Sequence, residues 1–162
     1  MMLFFSILNF FRPLNIFLGV LTSFVVSYLI DPTNFLRIID LGMIIIFYMA
    51  GANALNDLVD IEIDRINKPH RFLVQHPIQK KYIIFLIVVL FLVGSWKAFA
   101  IYPVAKNIAL FFVLPFLILY EIMLKKIPLV GNIIISLLVG SVFIYTEAGL
   151  INDIVVTWKI FI

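Results

Sequence analysis

A helix needs about 20 apolar residues to cross the ~30 Å hydrocarbon core of a bilayer, and this chain of 162 residues holds five such runs. They lie at about residues 14–30, 41–60, 82–102, 104–124 and 130–150, joined by short connections except for residues 65–81. The spacing predicts an all-α fold, a polytopic transmembrane helix bundle of five to six spans, read as a single transmembrane domain over 1–162. The tail from Asn152 onward ends in Trp158-Lys159-Ile160-Phe161-Ile162. It either begins the sixth span or lies at the interface, where tryptophan is enriched. Charged residues make up 13% of the chain, against about 25% in soluble domains, which excludes a soluble globular fold. With no cysteine, disulfides and thiolate metal sites are excluded as well. Met1 to Phe11 has neither a basic stretch nor a small-residue cleavage site, so no cleaved signal peptide is expected.

Basic residues orient the bundle. With a cytoplasmic N-terminus, Arg12, Arg65, Lys68, Arg71, Lys80, Lys81, Lys125 and Lys126 share the cytoplasmic side, and Arg37, Lys97, Lys106 and Lys159 face the other. That bias in short loops matches the positive-inside rule and places the loop over 65–81 in the cytoplasm. The same residues flank apolar spans without forming one solvated face, so no nucleic-acid partner is expected. Pro13 suits the first turn of a helix, and Asp31-Pro32-Thr33-Asn34 reads as a turn. Pro103 and Pro128 mark helix starts, while Pro115 sits inside the fourth span, where a membrane helix tolerates a kink.

Against this background stands Asn56-Asp57-Leu58-Val59-Asp60-Ile61-Glu62-Ile63-Asp64-Arg65, which holds four of the nine acids of the chain. A charged side chain at mid-bilayer costs ~2.5–3.5 kcal/mol on insertion scales, so acids on a membrane helix point to function. At about 100° per residue, with Asn53 as origin, Asn56 falls near about −60°, Asp57 near +40°, Asp60 near −20° and Asp64 near +20°. Glu62 points the opposite way. One stripe of carboxylates and amides therefore faces the bundle at the cytoplasmic end of the second span. Like charges this close repel. A divalent cation would relieve that repulsion, and oxygen-only ligands suit Mg²⁺, which usually takes one or two carboxylates plus substrate phosphates. The plain alternative is that these acids only mark the aqueous end of the helix. Lys68, Arg71, Lys80 and Lys81 lie on the same side, where they would neutralise a phosphate-rich ligand. His70 and His76 read as loop histidines, since no metal-binding spacing exists.

The pattern Asn53-x-x-Asn56-Asp57-x-x-Asp60-x-x-x-Asp64-x-x-Asn67-Lys68-Pro69-x-Arg71 closely resembles the first aspartate-rich motif of UbiA-type intramembrane prenyltransferases. Two weaker echoes keep the family order: Arg12-Pro13-Leu14-Asn15, and Tyr120-x-x-x-Leu124-Lys125-x-x-Pro128-x-x-Gly131-Asn132. The resemblance implies an enzyme of about nine spans that moves an isoprenoid from a prenyl diphosphate to an aromatic, lipid or haem-type acceptor with Mg²⁺. It also implies roles. Asn56, Asp60 and Asp64 would hold Mg²⁺ and through it the donor diphosphate, with Asp60 and Asp64 as the catalytic acids. Asp57 and Asn53 would support them, and Arg71 and Lys68 would contact diphosphate oxygens. Asn15 is an acceptor-side candidate; Tyr120 and Lys125 would sit at the rim of the site.

Two departures stand out. After Arg71, where many relatives continue with Pro and a Ser-Gly pair, this chain reads Phe72-Leu73-Val74-Gln75-His76, so a loop of different shape is expected. No second acidic motif follows; the later acids are Glu121, Glu147 and Asp153, of which the last two fall on the far side. A truncated or split family member, dependent on a second chain for the missing acids, is therefore one alternative, and a small cation carrier using the stripe as an ion site is another. In the reaction implied, metal and basic residues stabilise charge developing on the leaving diphosphate, and an apolar chamber keeps water from the allylic cation. The Arg12-Pro-Leu-Asn opening favours lipid (glycerophosphate-type) or aromatic quinone-precursor acceptors over haem.

Overall fold

The computed structural model describes residues 9–154. Its helices are α1 (Pro13–Ile30), α2 (Phe35–Val59), α3 (Ile61–Asn67), α4 (Phe72–Gln75), α5 (Lys80–Ala98), α6 (Pro103–Asn107), α7 (Leu114–Ile122) and α8 (Val130–Ile151). A π-helical segment, Ile108–Val113, joins α6 to α7, and a 3₁₀ turn, Leu124–Lys126, follows α7. Five spans among the described residues are long and apolar enough to cross a membrane: α1, α2, α5, the composite Pro103–Ile122 and α8. The expected sixth span or interfacial tail falls on residues 155–162, outside the described residues.

These helices are apolar all round, so apolar periodicity cannot choose their inner faces. Small residues do. In lipid, helix association depends on close packing at small side chains, and α2 and α5 show this reciprocally. A Cβ on Gly51 of α2 would lie 2.6 Å from the Phe91 ring of α5, and one on Gly94 of α5 would lie 2.7 Å from Tyr48 of α2. Each glycine is the socket for an aromatic ring of its neighbour. The Tyr48 and Phe91 rings meet edge to face at 6.2 Å, and the Tyr48 hydroxyl shares a 3.1 Å hydrogen bond with Ser95. α2 is the most buried of the five spans and packs against α1, α5, α7 and α8. Large side chains such as Leu36, Trp96 and Phe111 remain exposed, as lipid-facing positions should.

Several boundaries differ from those expected. The second span begins at Phe35, six residues before the apolar run, because its charges are paired. Asp40 binds Lys97 of α5 at 2.5 Å, and the Arg37 guanidinium lies 3.5 Å over the Tyr102 ring. Pro115 sits at the start of α7, directly after the π-helical segment. Proline has no N–H to donate and crowds the carbonyl four residues earlier; the wider π turn absorbs the mismatch. Pro128 does not open α8, which starts two residues later after Leu129 at φ 68°. At the far end, the Asp31 carboxylate accepts from the Thr33 hydroxyl at 2.5 Å and backbone N–H at 2.9 Å. This closes the expected turn and holds the Asp31 carboxyl below its usual range.

Filling a socket should cost what overpacking costs. Gly94→Leu is expected to lower the stability of the detergent-solubilised protein by about 1–3 kcal/mol, measured by reversible denaturation. Gly140, whose added Cβ would meet nothing within 4 Å, should accept the same change with little loss.

Candidate functional site

The acid stripe forms as expected, with one local change. The α2 hydrogen bonding yields at Asp60, which takes a turn conformation (φ −91°, ψ 4°) between α2 and α3. The i→i−4 ladder nevertheless bridges the break, from the Asp60 N–H to Asn56 O at 3.0 Å and from the Asp64 N–H to Asp60 O at 2.8 Å. The stripe therefore keeps its face. Asn53, Asp57 and Asp64 are buried, Asn56 and Asp60 half-buried, and Glu62 exposed, where it pairs with Arg65 at 2.9 Å.

The stripe meets cations from three other parts of the chain. Asp57 is 2% exposed, and its Oδ1 accepts from Arg12 Nη2 at 2.7 Å and Arg71 Nη1 at 2.6 Å. Its Oδ2 is buried without a hydrogen-bond partner. Arg71 also approaches Asp64 at 4.0 Å, and Lys68 lies 3.5 Å from Asp64. From the turn after α7, Lys125 Nζ donates to Asp60 Oδ2 at 2.8 Å and to Glu121 Oε2 at 3.2 Å. Asn56 links the two groups: Arg12 donates to its Oδ1 in a short contact, and its Nδ2 donates to Glu121 at 2.6 Å. Repulsion among the acids is thus answered by protein cations.

Local structure explains how each side chain arrives. Arg12 precedes Pro13 at the first turn of α1 and holds a left-handed backbone (φ 51°, ψ 63°), a conformation that costs on the order of 1–3 kcal/mol outside glycine and collects at functional sites. Asn53 anchors the same corner by donating to Phe11 O at 2.7 Å. The departure after Arg71 forms the one-turn helix α4. Its Leu73 is buried, and its Phe72 packs on Phe10 (centroids 5.4 Å) and stacks on His76 (4.9 Å). The Lys125 turn lies close against α8: a Cβ on Gly131 would stand 3.1 Å from both Leu124 O and Lys125 Cα.

Of the residues singled out from sequence, Asn56, Asp57, Asp60, Asp64, Lys68, Arg71 and Lys125 come together, with Asn53 behind them. Tyr120 is half-buried beside Glu121 on α7, outside the hydrogen-bonded cluster, and Lys80 and Lys81 are exposed. Asn15 is also apart: it lines a second space. Arg12 and Glu121 join the cluster without a site role having been expected of them. The motif Arg12-Pro13 is the signal for the first, and a lone acid on a membrane span is the signal for the second.

Two cavities adjoin along α1. Arg12, Pro13 and Leu14 line a polar cleft of about 400 Å³ with Asp57, His70 and Arg71. Asn15, Leu18 and Gly19 line a chamber of about 560 Å³ with apolar walls, to which Tyr48, Leu138 and Tyr145 contribute. Among the described residues no three His, Cys, Asp or Glu side chains form a ready-made metal cage. The oxygen-only donors and the unpartnered Asp57 Oδ2 nonetheless fit a hard divalent ion whose shell is completed by phosphate oxygens.

Comparisons with known proteins bear on the family and the fold. A model of the UbiA prenyltransferase family matches residues 16–162. The chain is 37% identical to the digeranylgeranylglyceryl phosphate synthase of Methanococcoides burtonii over 134 residues, 81% of this chain and 47% of that protein. It is 41% identical to the enzyme of the same name from Methanosarcina mazei over 110 residues, 66% of this chain and 38% of that one. A solved structure from work on digeranylgeranylglyceryl phosphate synthase in membranes superposes with a TM-score of 0.80 at 32% identity, covering 90% of this chain and 53% of that one. The chain spans about half the length of the curated relatives it matches, or less.

Removing one partner from a buried ion cluster costs ~3–5 kcal/mol when charge is left uncompensated. Asp57→Ala should therefore destabilise the protein by about 3 kcal/mol, because Arg12 loses its anion and Arg71 keeps only the longer approach to Asp64. Arg12→Ala should cost clearly less, since Arg71 still pairs Asp57. Denaturation of the two variants side by side checks the order.

Proposed function

Because the chain belongs to the UbiA prenyltransferase family, we propose that it takes part in transferring an isoprenoid group from a prenyl diphosphate to a glycerophosphate-type lipid acceptor. The protein is an integral membrane protein; in this reading Arg12, the 65–81 loop and Lys125 face the cytoplasm, and the whole described bundle belongs to one transmembrane domain. The observation that carries the reading is the division along α1. Arg12, Pro13 and Leu14 border a charged cleft, and Asn15, Leu18 and Gly19 border an apolar chamber, which suits a donor with an ionic head and a long apolar tail. The acceptor class follows from the relatives named above.

The residues divide the work accordingly. Asn56, Asp60 and Asp64 would hold Mg²⁺, which would supply positive charge to the leaving diphosphate. Arg12, Arg71 and Lys68 would bind diphosphate oxygens, and Asn53 would hold the Arg12 corner in place. Preorganised donors aimed at the leaving oxygens stabilise the charge that develops as the allylic C–O bond breaks. The chamber would exclude water from the allylic carbon. Tyr48, Phe143 and Tyr145 line the chamber, where aromatic faces would stabilise positive charge. Asn15, at the chamber wall with Thr22 and Ser141, would help to orient an acceptor. Lys125 would border the site on the α7 side, while Tyr120, outside the cluster, would take no direct part. Further acids, from a second chain or from additional residues of a longer protein, would complete the metal set that the family resemblance implies.

The test is transfer of radiolabelled geranylgeranyl diphosphate to an isoprenoid glyceryl phosphate in proteoliposomes, with and without Mg²⁺. Asp60→Ala should lower transfer by at least about 100-fold, the scale of losing a transition-state electrostatic contact, while the variant still inserts into the membrane. Undiminished turnover by Asp60→Ala would refute the assignment.

A further inference from the structure

Glu121 enters the cluster from α7 and is buried to 7% exposure. It is the sole acid of the network that lies off the stripe. Its Oε2 accepts from Asn56 Nδ2 at 2.6 Å and from Lys125 Nζ at 3.2 Å. Asn56 in turn sits between two groups of opposite hydrogen-bonding character. A guanidinium can only donate, and an ionised carboxylate can only accept. One amide orientation satisfies both, with Oδ1 toward Arg12 and Nδ2 toward Glu121, and this is the orientation found. Turned over, the amide would set N–H against N–H and oxygen against oxygen, losing two charge-assisted hydrogen bonds.

Lys125 is divided in a similar way, between Asp60 Oδ2 at 2.8 Å and Glu121 Oε2 at 3.2 Å. Asp60 therefore has a shared cation, not one of its own. Without the Glu121 charge, nothing would draw Lys125 off Asp60, and the Asn56 amide would be held from the Arg12 side alone.

We propose that Glu121 is a positioning residue of the site: it fixes the carbonyl oxygen of Asn56 toward the Arg12–Asp57 side of the stripe and holds part of the Lys125 charge away from Asp60. The proposal rests on the diphosphate-binding function proposed above, and it concerns the hydrogen-bond polarity between α2 and α7.

A charge-conserving swap tests it. Glu121→Gln lets the Asn56 amide turn over, and Asn56→Asp sets two carboxylates against each other. Asn56→Asp with Glu121→Gln restores the bond with its polarity reversed, since the introduced glutamine amide would donate to a carboxylate that also accepts from Arg12. The readout is calorimetric binding of geranyl S-thiolodiphosphate with Mg²⁺ to the full chain in nanodiscs. Each single variant should bind about tenfold more weakly, the order of one hydrogen bond to a charged group. The swap should bind at least about tenfold tighter than the product of the two single losses allows. A Glu121 that merely packs α7 against the bundle gives no such coupling. Losses that simply multiply, or single variants that bind like wild type, overturn the proposal and leave the proposed function standing. Wild-type protein that binds no analogue at all removes both. If a single variant fails to fold, the swap decides: a folded swap with recovered affinity supports the proposal, and a swap that also fails to fold or bind overturns it.

Discussion

A carboxylate on a membrane span has to be neutralised by the protein, because the surrounding lipid offers no water to do it. Asp57 meets that demand by accepting from two guanidiniums through one oxygen, and much of the local architecture follows from it. Arg12 reaches the site because the chain before α1 turns through a left-handed residue into Pro13, and Asn53 holds that turn by binding Phe11 O. Arg71 reaches it because the chain after α3 folds back and is pinned by Leu73 and Phe72 of α4. One buried oxygen thus gathers the start of α1, the end of α2 and the following loop. Buried ion pairs seldom add net stability over apolar packing, so retaining this one points to what the charges do and not to what they stabilise.

The sequence disclosed geometry that lies within a single helix. The stripe of Asn53, Asn56, Asp57, Asp60 and Asp64 could be drawn from the α-helical repeat alone, and it survives the break at Asp60 because the i→i−4 bonds carry across it. The five spans were likewise legible as apolar runs. What one helix does to another was not. Nothing in the helical repeat says that Glu121 of α7 will face Asn56, or that Arg12 will bridge Asn56 and Asp57. Those depend on how separate helices pack, as where Gly51 receives Phe91 and Gly94 receives Tyr48 across about 40 residues of chain. The early start of α2 was hidden for a similar reason: Arg37 and Asp40 looked like loop charges until Tyr102 and Lys97 were seen beside them.

Family resemblance added roles that physics alone left open, and the geometry adds a qualification. Asn15, Tyr120 and the acid stripe share a motif order, yet they border different spaces. Asn15 belongs with the apolar chamber, the stripe with the charged cluster, and Tyr120 with neither.

The network is also balanced. Arg12, Lys68, Arg71 and Lys125 face Asp57, Asp60, Asp64 and Glu121, four cations against four anions. A site of this kind needs no counter-ion from solution while empty. In the function proposed above, an incoming diphosphate would exchange partners: its oxygens would take over arginine and lysine donors, and the acids so released would be free for the divalent ion that accompanies it. Each acid freed would be matched by a cation engaged, so the protein's own charges would be desolvated once, on folding. On that view the self-pairing of the acids is the resting form of a diphosphate site.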